Sequence, residues 1–370
     1  MSKIGANYQK IIALLASARF FSYLALCLII LLFIGTIAQK NIGLYLAHKK
    51  YFASFFVMLG DVIPFPGGYL LMSLMAIGLT IKLIIDPWKV KKIGTITAHL
   101  GVLTLLLGSS LTSFFSYEGN MIIKEQTSSN YINDYFQSEL IIQHVTDANK
   151  QIIFKQDLQH MIPGQIITDI NLPFQIEIKS ILENTKLVKR VEAPGNAIGF
   201  AKIFKLEPKK SSANYEENTA SISYKILSEN EESKFFSTFE NIPIEQILSL
   251  GDKNYLIEIR KIQTTLPFNI FLNDFSKESY PGTDKARNYK SYITIKEQDL
   301  SWQAVISMNQ PLRYKGYSFY QSSYIDANGT EFTVLAVVNN IGRLFPYIST
   351  IIIALGILAH LVQHLRAKND

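Results

Sequence analysis

Four windows of this chain are apolar enough and long enough to cross a lipid bilayer, and nothing else in the sequence limits its fold so strongly. They run Phe20 to Ala38, Tyr69 to Ile85, Thr95 to Phe115 and Leu344 to Val362. Each approaches the roughly 20 residues that a spanning helix requires. Three lie near the start of the chain and one at its end. Between the third and fourth stretches a long run of ordinary polar sequence, residues 116–343.

Charge follows the same division. The formal net charge is +6, yet residues 116–342 hold 23 Lys and Arg against 27 Asp and Glu, a net −4. The remainder holds 13 Lys and Arg against Asp61, Asp86 and Asp370, a net +10. The basic excess therefore flanks the apolar windows, where it orients helices and meets anionic lipid, and nucleic acid is not an expected partner. Counting short segments, the tail 1–19, the loop 86–94 and the tail 363–370 carry eight positives. The opposite segments carry Lys40, Lys49, Lys50 and Arg343. Both termini are expected on the cytoplasmic side and the large domain outside. Thr36-Ile37-Ala38 resembles a cleavage site, but the preceding leader and apolar run are long for a signal peptide, so the first window is expected as a retained anchor.

The one cysteine, Cys27, lies inside the first window, so no disulfide and no CxxC redox pair is expected. In the outer loop 39–68, the apolar run Tyr51 to Ile63 is too short to span and is expected at the interface or as a re-entrant segment. Lys82, near the inner end of the second window, is expected to snorkel to the headgroups. Asp86-Pro87-Trp88 should stop that helix.

From about Gln137 the pattern turns to short runs of Ile, Val, Phe and Tyr near period two. Glu139 to His144, Gln151 to Phe154, Phe174 to Ile181, Ser221 to Leu227, Tyr255 to Ile262, Ser291 to Ile295 and Gly316 to Tyr324 read as strands. The expected class is membrane α plus extracytoplasmic β: four transmembrane helices, three N-terminal and one C-terminal, with an antiparallel β-rich sandwich or open barrel between the third and fourth. Glu207 to Asn218 and Ser228 to Lys234 are expected as exposed loops, and Pro243 to Leu250 as a short helix with proline at its first position. No fixed-period repeat is evident, which argues against solenoids and duplicated transporters.

Ionisable groups inside spans are costly, so each is a functional candidate. His99 lies about one turn, roughly 6 Å, into the third window. It suits a polar partner, an interhelical hydrogen bond, or a metal or haem iron, as well as plain packing. His360 sits at similar depth in the fourth window, and His364 one turn on; this pair suits metal or an interfacial, solvated role. His48, His144 and His160 have no ligand-spaced neighbours. No phosphate loop, nucleophile elbow or HExxH motif appears, so no catalytic residue is expected in the β domain. Its most distinctive stretch is Asn309 to Tyr324, NQPLRYKGYSFYQSSY. There a turn at Lys315-Gly316 should feed a strand with alternating faces Tyr317/Phe319/Gln321/Ser323 and Ser318/Tyr320/Ser322/Tyr324. This is either a core strand or an aromatic binding surface comprising Tyr317, Phe319, Tyr320, Gln321 and Tyr324.

That stretch resembles a motif preceding the last span of the ResB/CcsB family of cytochrome c biogenesis proteins. Asn273 to Ile295, NDFSKESYPGTDKARNYKSYITI, is similar to the family's D-F segment, and Phe33 to Gln39, FIGTIAQ, to the end of its first span. The resemblance implies a bacterial inner-membrane subunit of a system II haem-attachment complex. It implies haem b as transported substrate, a ResC/CcsA-type WWD partner, apocytochrome c as client and, indirectly, a thiol-reducing partner. With only Trp88 and Trp302 and no WWD segment, the chain is similar to the separate B half, a non-autonomous part of a holocytochrome c synthase. The family's intramembrane histidine falls on His99, which the resemblance makes a haem axial ligand. No matched motif supports His360. The alternative is a non-catalytic scaffold with a partner-binding outer domain and no haem of its own.

Overall fold

A computed structural model describes residues 3–60, 62–86, 88–89, 92–146, 149–228, 231–242, 245–283, 286–327 and 329–369. The chain divides into a helical unit, Met1–Tyr117 with Asn339–Asp370, and a β unit, Glu118–Val338.

In the helical unit, α1 spans Lys3–Leu15, α2 Ala18–Ala47, α3 Gly68–Ile85 and α4 Ile93–Phe115, and a C-terminal helix spans Phe345–Asn369. Among the described residues four helical stretches are long and apolar enough to cross a membrane: Ala18–Phe52, which runs past α2, Gly68–Ile85, Ile93–Phe115 and Phe345–Arg366. The tail before the first span is itself helical. α1 breaks from α2 at Ser17, whose Oγ caps the second helix by accepting the Phe20 N–H at 3.2 Å. α2 continues well past Ala38 and bends at Gly43, where φ is +79°, a conformation that favours glycine. The short apolar run that follows folds as a π-turn, His48–Phe52, and a hairpin of β1 (Phe56–Leu59) and β2 (Ile63–Pro66).

α4 and the C-terminal helix run antiparallel along a seam of glycines. Gly94, Gly101 and Gly108, seven residues apart, are buried on one face of α4. A methyl group on Gly101 would lie 2.6 Å from Ile353 Cγ1 and 2.9 Å from the Ile353 nitrogen. One on Gly94 would fall on the His360 backbone, and one on Gly356 on the backbone of Ala98. In lipid, where apolar side chains gain little by leaving solvent, such close backbone approach holds helices together by dispersion.

In the β unit the strands are β3 Tyr117–Lys124, β4 Ser128–Thr146, β5 Asn149–Asp157, β6 Ile166–Ile167, β7 Gln175–Leu182, β8 Thr185–Lys189, β9 Phe204–Pro208, β10 Ser221–Ser228, β11 Glu231–Phe239, β12 Ile247–Leu250, β13 Lys253–Ser279, β14 Ala286–Glu297, β15 Leu300–Ser307, β16 Leu312–Tyr314, β17 Tyr317–Ala327 and β18 Thr330–Asn339. Ten form one sheet, ordered β15-β14-β13-β4-β3-β18-β17-β16, with β12 on β13 and β5 on β4. Four more form the sheet β11-β10-β7-β6, and β8 pairs with β9. The larger sheet curls until its ends meet: Trp302 of β15 packs edge-on against Tyr314 of β16, ring centres 4.8 Å apart. Between the two sheets lies a core of Leu140, Ile142, Ile176, Ile178, Ile222, Tyr224, Phe236, Leu248, Ile257 and Ile259.

The expected β-rich, antiparallel region between the third and fourth spans is therefore present, with two local corrections. The short helix expected over Pro243 to Leu250 is absent from its described part: Ile247–Leu250 is β12, paired with Lys253 to Leu256 around a turn at Gly251, φ +56°. Pro243 and Ile244 lie outside the described residues. Leu248 alternates into the core while its neighbours face out, a period of two that overrides the helix-start reading of proline. Within the expected loop Ser228 to Lys234, residues 231–234 belong to β11 and pair with β10.

Bulges shape the long β4/β13 ladder. Register shifts between Thr265 and Ile270, where Pro267 has no N–H to donate, and between Lys261 and Gln263. Opposite the second shift, Asp134 Oδ1 accepts the Phe136 and Gln137 amides at 2.7 and 2.8 Å. Burial pushes the Asp134 carboxyl up despite those two bonds.

Candidate functional site

The glycine face of α4 is occupied by the C-terminal helix, and His99, five residues beyond Gly94, lies roughly 140° around the helix from it. That turns the imidazole toward the other helices. His99 lines a cavity of about 340 Å³ formed by the α1–α2 break, α3 and α4. Leu15, Phe21, Leu79 and Val102 give it apolar walls; Ser17, Ser22, Lys82 and His99 give it polar atoms. Gly78 lets the end of α1 approach α3, since a methyl there would lie 2.6 Å from the Leu15 carbonyl oxygen.

Lys82 is the cavity's cation, and apart from its depth no sequence signal marks it as sharing a space with His99. Its ammonium lies 3.1 Å from the Asp86 carboxylate, one helical turn on. Asp86 also lies 3.9 Å from Lys92. Trp88 is exposed nearby in the chain, its indole N–H donating to the Leu83 carbonyl at 2.8 Å.

His360 is not brought to this cavity. It is exposed, its backbone abuts Gly94, and its Nδ1 is 3.3 Å from Thr95 Oγ1. His364 is also exposed. His48 is exposed beside Phe52, His160 is exposed beside Asp157, and His144 packs on Tyr255. Among the described residues, no three His, Cys, Asp or Glu gather as a metal-ligand cluster.

The tyrosine-rich motif forms a hairpin. Tyr314 pairs with Tyr317 across Lys315 (φ +47°) and Gly316 (φ +84°), the two left-handed residues of a tight hairpin turn. Its five candidate residues do not make one surface. Phe319 is fully buried, edge-on to Phe268, and Gln321 is 6% exposed. Gln321 accepts from Ser291 Oγ at 2.6 Å and donates to Thr333 Oγ1 at 3.0 Å and to the Ser323 carbonyl at 3.0 Å. Tyr317 is half-buried on the same side, near Phe268. Tyr320 is exposed on the other face, and Tyr324 stacks on Phe275 at 5.5 Å with Lys277 donating to its hydroxyl at 2.9 Å. The turn is latched by Glu297, which accepts from both Tyr314 and Lys315; those bonds, Lys315 first, hold its carboxyl below the usual glutamate range.

A second, polar cleft of about 650 Å³ lies within the β unit, walled by Asn120, Asn133, Gln263, Tyr131 and Glu217. Two of its cations are committed: Arg260 bonds Glu139 at 2.8 Å and Lys261 lies 3.3 Å from Glu240, both carboxylates being buried.

The fold is that of a multi-pass membrane protein whose last two spans bracket a large β-rich insert. The ResB-like family model matches residues 89–160 and 245–341, which contain His99 and the tyrosine-rich motif. Through those matches the chain is similar to ResB/CcsB-type proteins. Protein NrfI of Wolinella succinogenes is 23% identical over 279 residues, 72% of this chain but 27% of that protein, so the chain spans about a quarter of its relative's length.

Proposed function

We propose that this chain is the B-type subunit of a cytochrome c synthase complex, exporting haem across the membrane and supporting its covalent attachment to CxxCH motifs of apocytochrome c. The observation that carries the reading is the cavity lined by His99, a residue that itself lies within the matched part of the chain. Its volume is at the lower end for small-molecule pockets. Its donor set suits haem as substrate: an imidazole for the iron, apolar walls for the macrocycle and hydroxyls at the rim. A neutral imidazole fixed on a helix holds the iron in one orientation and keeps water from it, while the thiols and vinyl groups supply the reacting atoms.

On this reading the partner is a ResC/CcsA-type WWD protein that covers the rest of the macrocycle. The bilayer is the bacterial cytoplasmic membrane, with both termini inside and the β unit outside. The test is a reduced visible absorption spectrum of the detergent-purified protein with its co-purifying partner, wild type against His99→Ala. Low-spin haem bands in the wild type, lost in the variant, are expected. Bands indifferent to the substitution would move the ligand elsewhere, and a wild type without haem would favour the scaffold.

A further inference from the structure

The charges beside the His99 cavity do not balance. One carboxylate, Asp86, answers two ammonium groups, Lys82 at 3.1 Å and Lys92 at 3.9 Å. Lys82 can therefore turn to another anion while Asp86 keeps a partner. Lys82 shares its cavity with His99 and with apolar walls, where a charge-assisted hydrogen bond is stronger than in water.

We propose that this cavity selects a planar ligand bearing carboxylates, with Lys82 as the positioning residue that binds one carboxylate while His99 takes the central metal. The inference rests on the haem reading of His99 and deepens it. For haem, a propionate is drawn to the Lys82–Asp86 end, beside the 86–94 loop, and this fixes how the macrocycle enters. Replacing the propionates by esters removes the charge and leaves the ring and iron unchanged, so the two porphyrins isolate the role of Lys82.

The experiment titrates iron protoporphyrin IX and its dimethyl ester into the full chain with its co-purifying partner in lipid nanodiscs, followed by Soret absorbance. Wild type is expected to bind the free acid about tenfold more tightly than the ester. Lys82→Met should bind the two alike, and Lys82→Arg should keep the preference. Asp86→Asn, which releases Lys82, should enlarge it and decides the matter if Lys82→Met fails to accumulate. Equal binding by the wild type, a full preference in Lys82→Met or an unchanged one in Asp86→Asn would overturn the proposal. The His99 reading is judged separately by the low-spin bands. If His99→Ala keeps both the bands and the acid preference, that reading falls and the role of Lys82 stands; if the wild type binds neither porphyrin, both fall.

Discussion

Gln321 shows how a motif residue acquires meaning only from its neighbours. In the sequence it stands among tyrosines and serines, in a stretch that reads either as a core strand or as an aromatic surface. In the fold its amide joins three strands, bonding Ser291 of β14 and Thr333 of β18, both fully buried. Removing the amide leaves the Ser291 and Thr333 hydroxyls only each other, at 2.8 Å, and opens a gap in the core, so Gln321→Ala should cost about 1–3 kcal/mol. The check is thermal unfolding of the purified full chain, with the haem bands expected to persist. A variant that unfolds with the wild type would return Gln321 to a surface role. His99 is the opposite case. Its depth in an apolar window already marked it, because an ionisable group there is expensive whatever it does. Lys82 was legible only as a lysine near a helix end; its place in the same cavity depends on how α3 packs against the α1–α2 break.

At the scale of elements, the spans and most strands follow from local periodicity, whereas the seams between them do not. The seven-residue spacing of Gly94, Gly101 and Gly108 is visible in the sequence, but it became a contact only once the C-terminal helix lay on it. Gly94→Ala and Gly356→Ala each drive a methyl into the facing backbone and should destabilise the helical unit by about 1–3 kcal/mol. Gly195→Ala, which meets open space, should stay within about 0.5 kcal/mol. Melting curves in one detergent compare the three, and equal curves would remove the seam from the account. β12 went unread because Pro243 is also a helix-start signal. What decided the matter was pairing with Lys253 to Leu256 across Gly251, a non-local gain that outweighs a weak local preference.

At the scale of the whole molecule, the two segments matched to the ResB-like family, 89–160 and 245–341, supply α4 and the strands of the ten-stranded sheet, while the intervening residues build the four-stranded sheet and the β8/β9 hairpin. The orientation argued from charge is open to direct test because the chain has a single cysteine, Cys27. In a Cys27→Ala background, Val191→Cys, at a fully exposed position of the β unit, should react with a membrane-impermeant thiol reagent added outside intact cells. Labelling only after lysis would invert the topology. By itself the sequence determined the four spans, the β-rich insert and the depth of His99. Each of these is set by the cost of placing a residue in lipid or by a period of two along one segment. Only the tertiary structure decided that Lys82 joins His99, that His360 does not, and that the tyrosine motif divides between core and surface. Those outcomes depend on contacts between segments far apart in the chain, and local periodicity carries no record of which segments will meet.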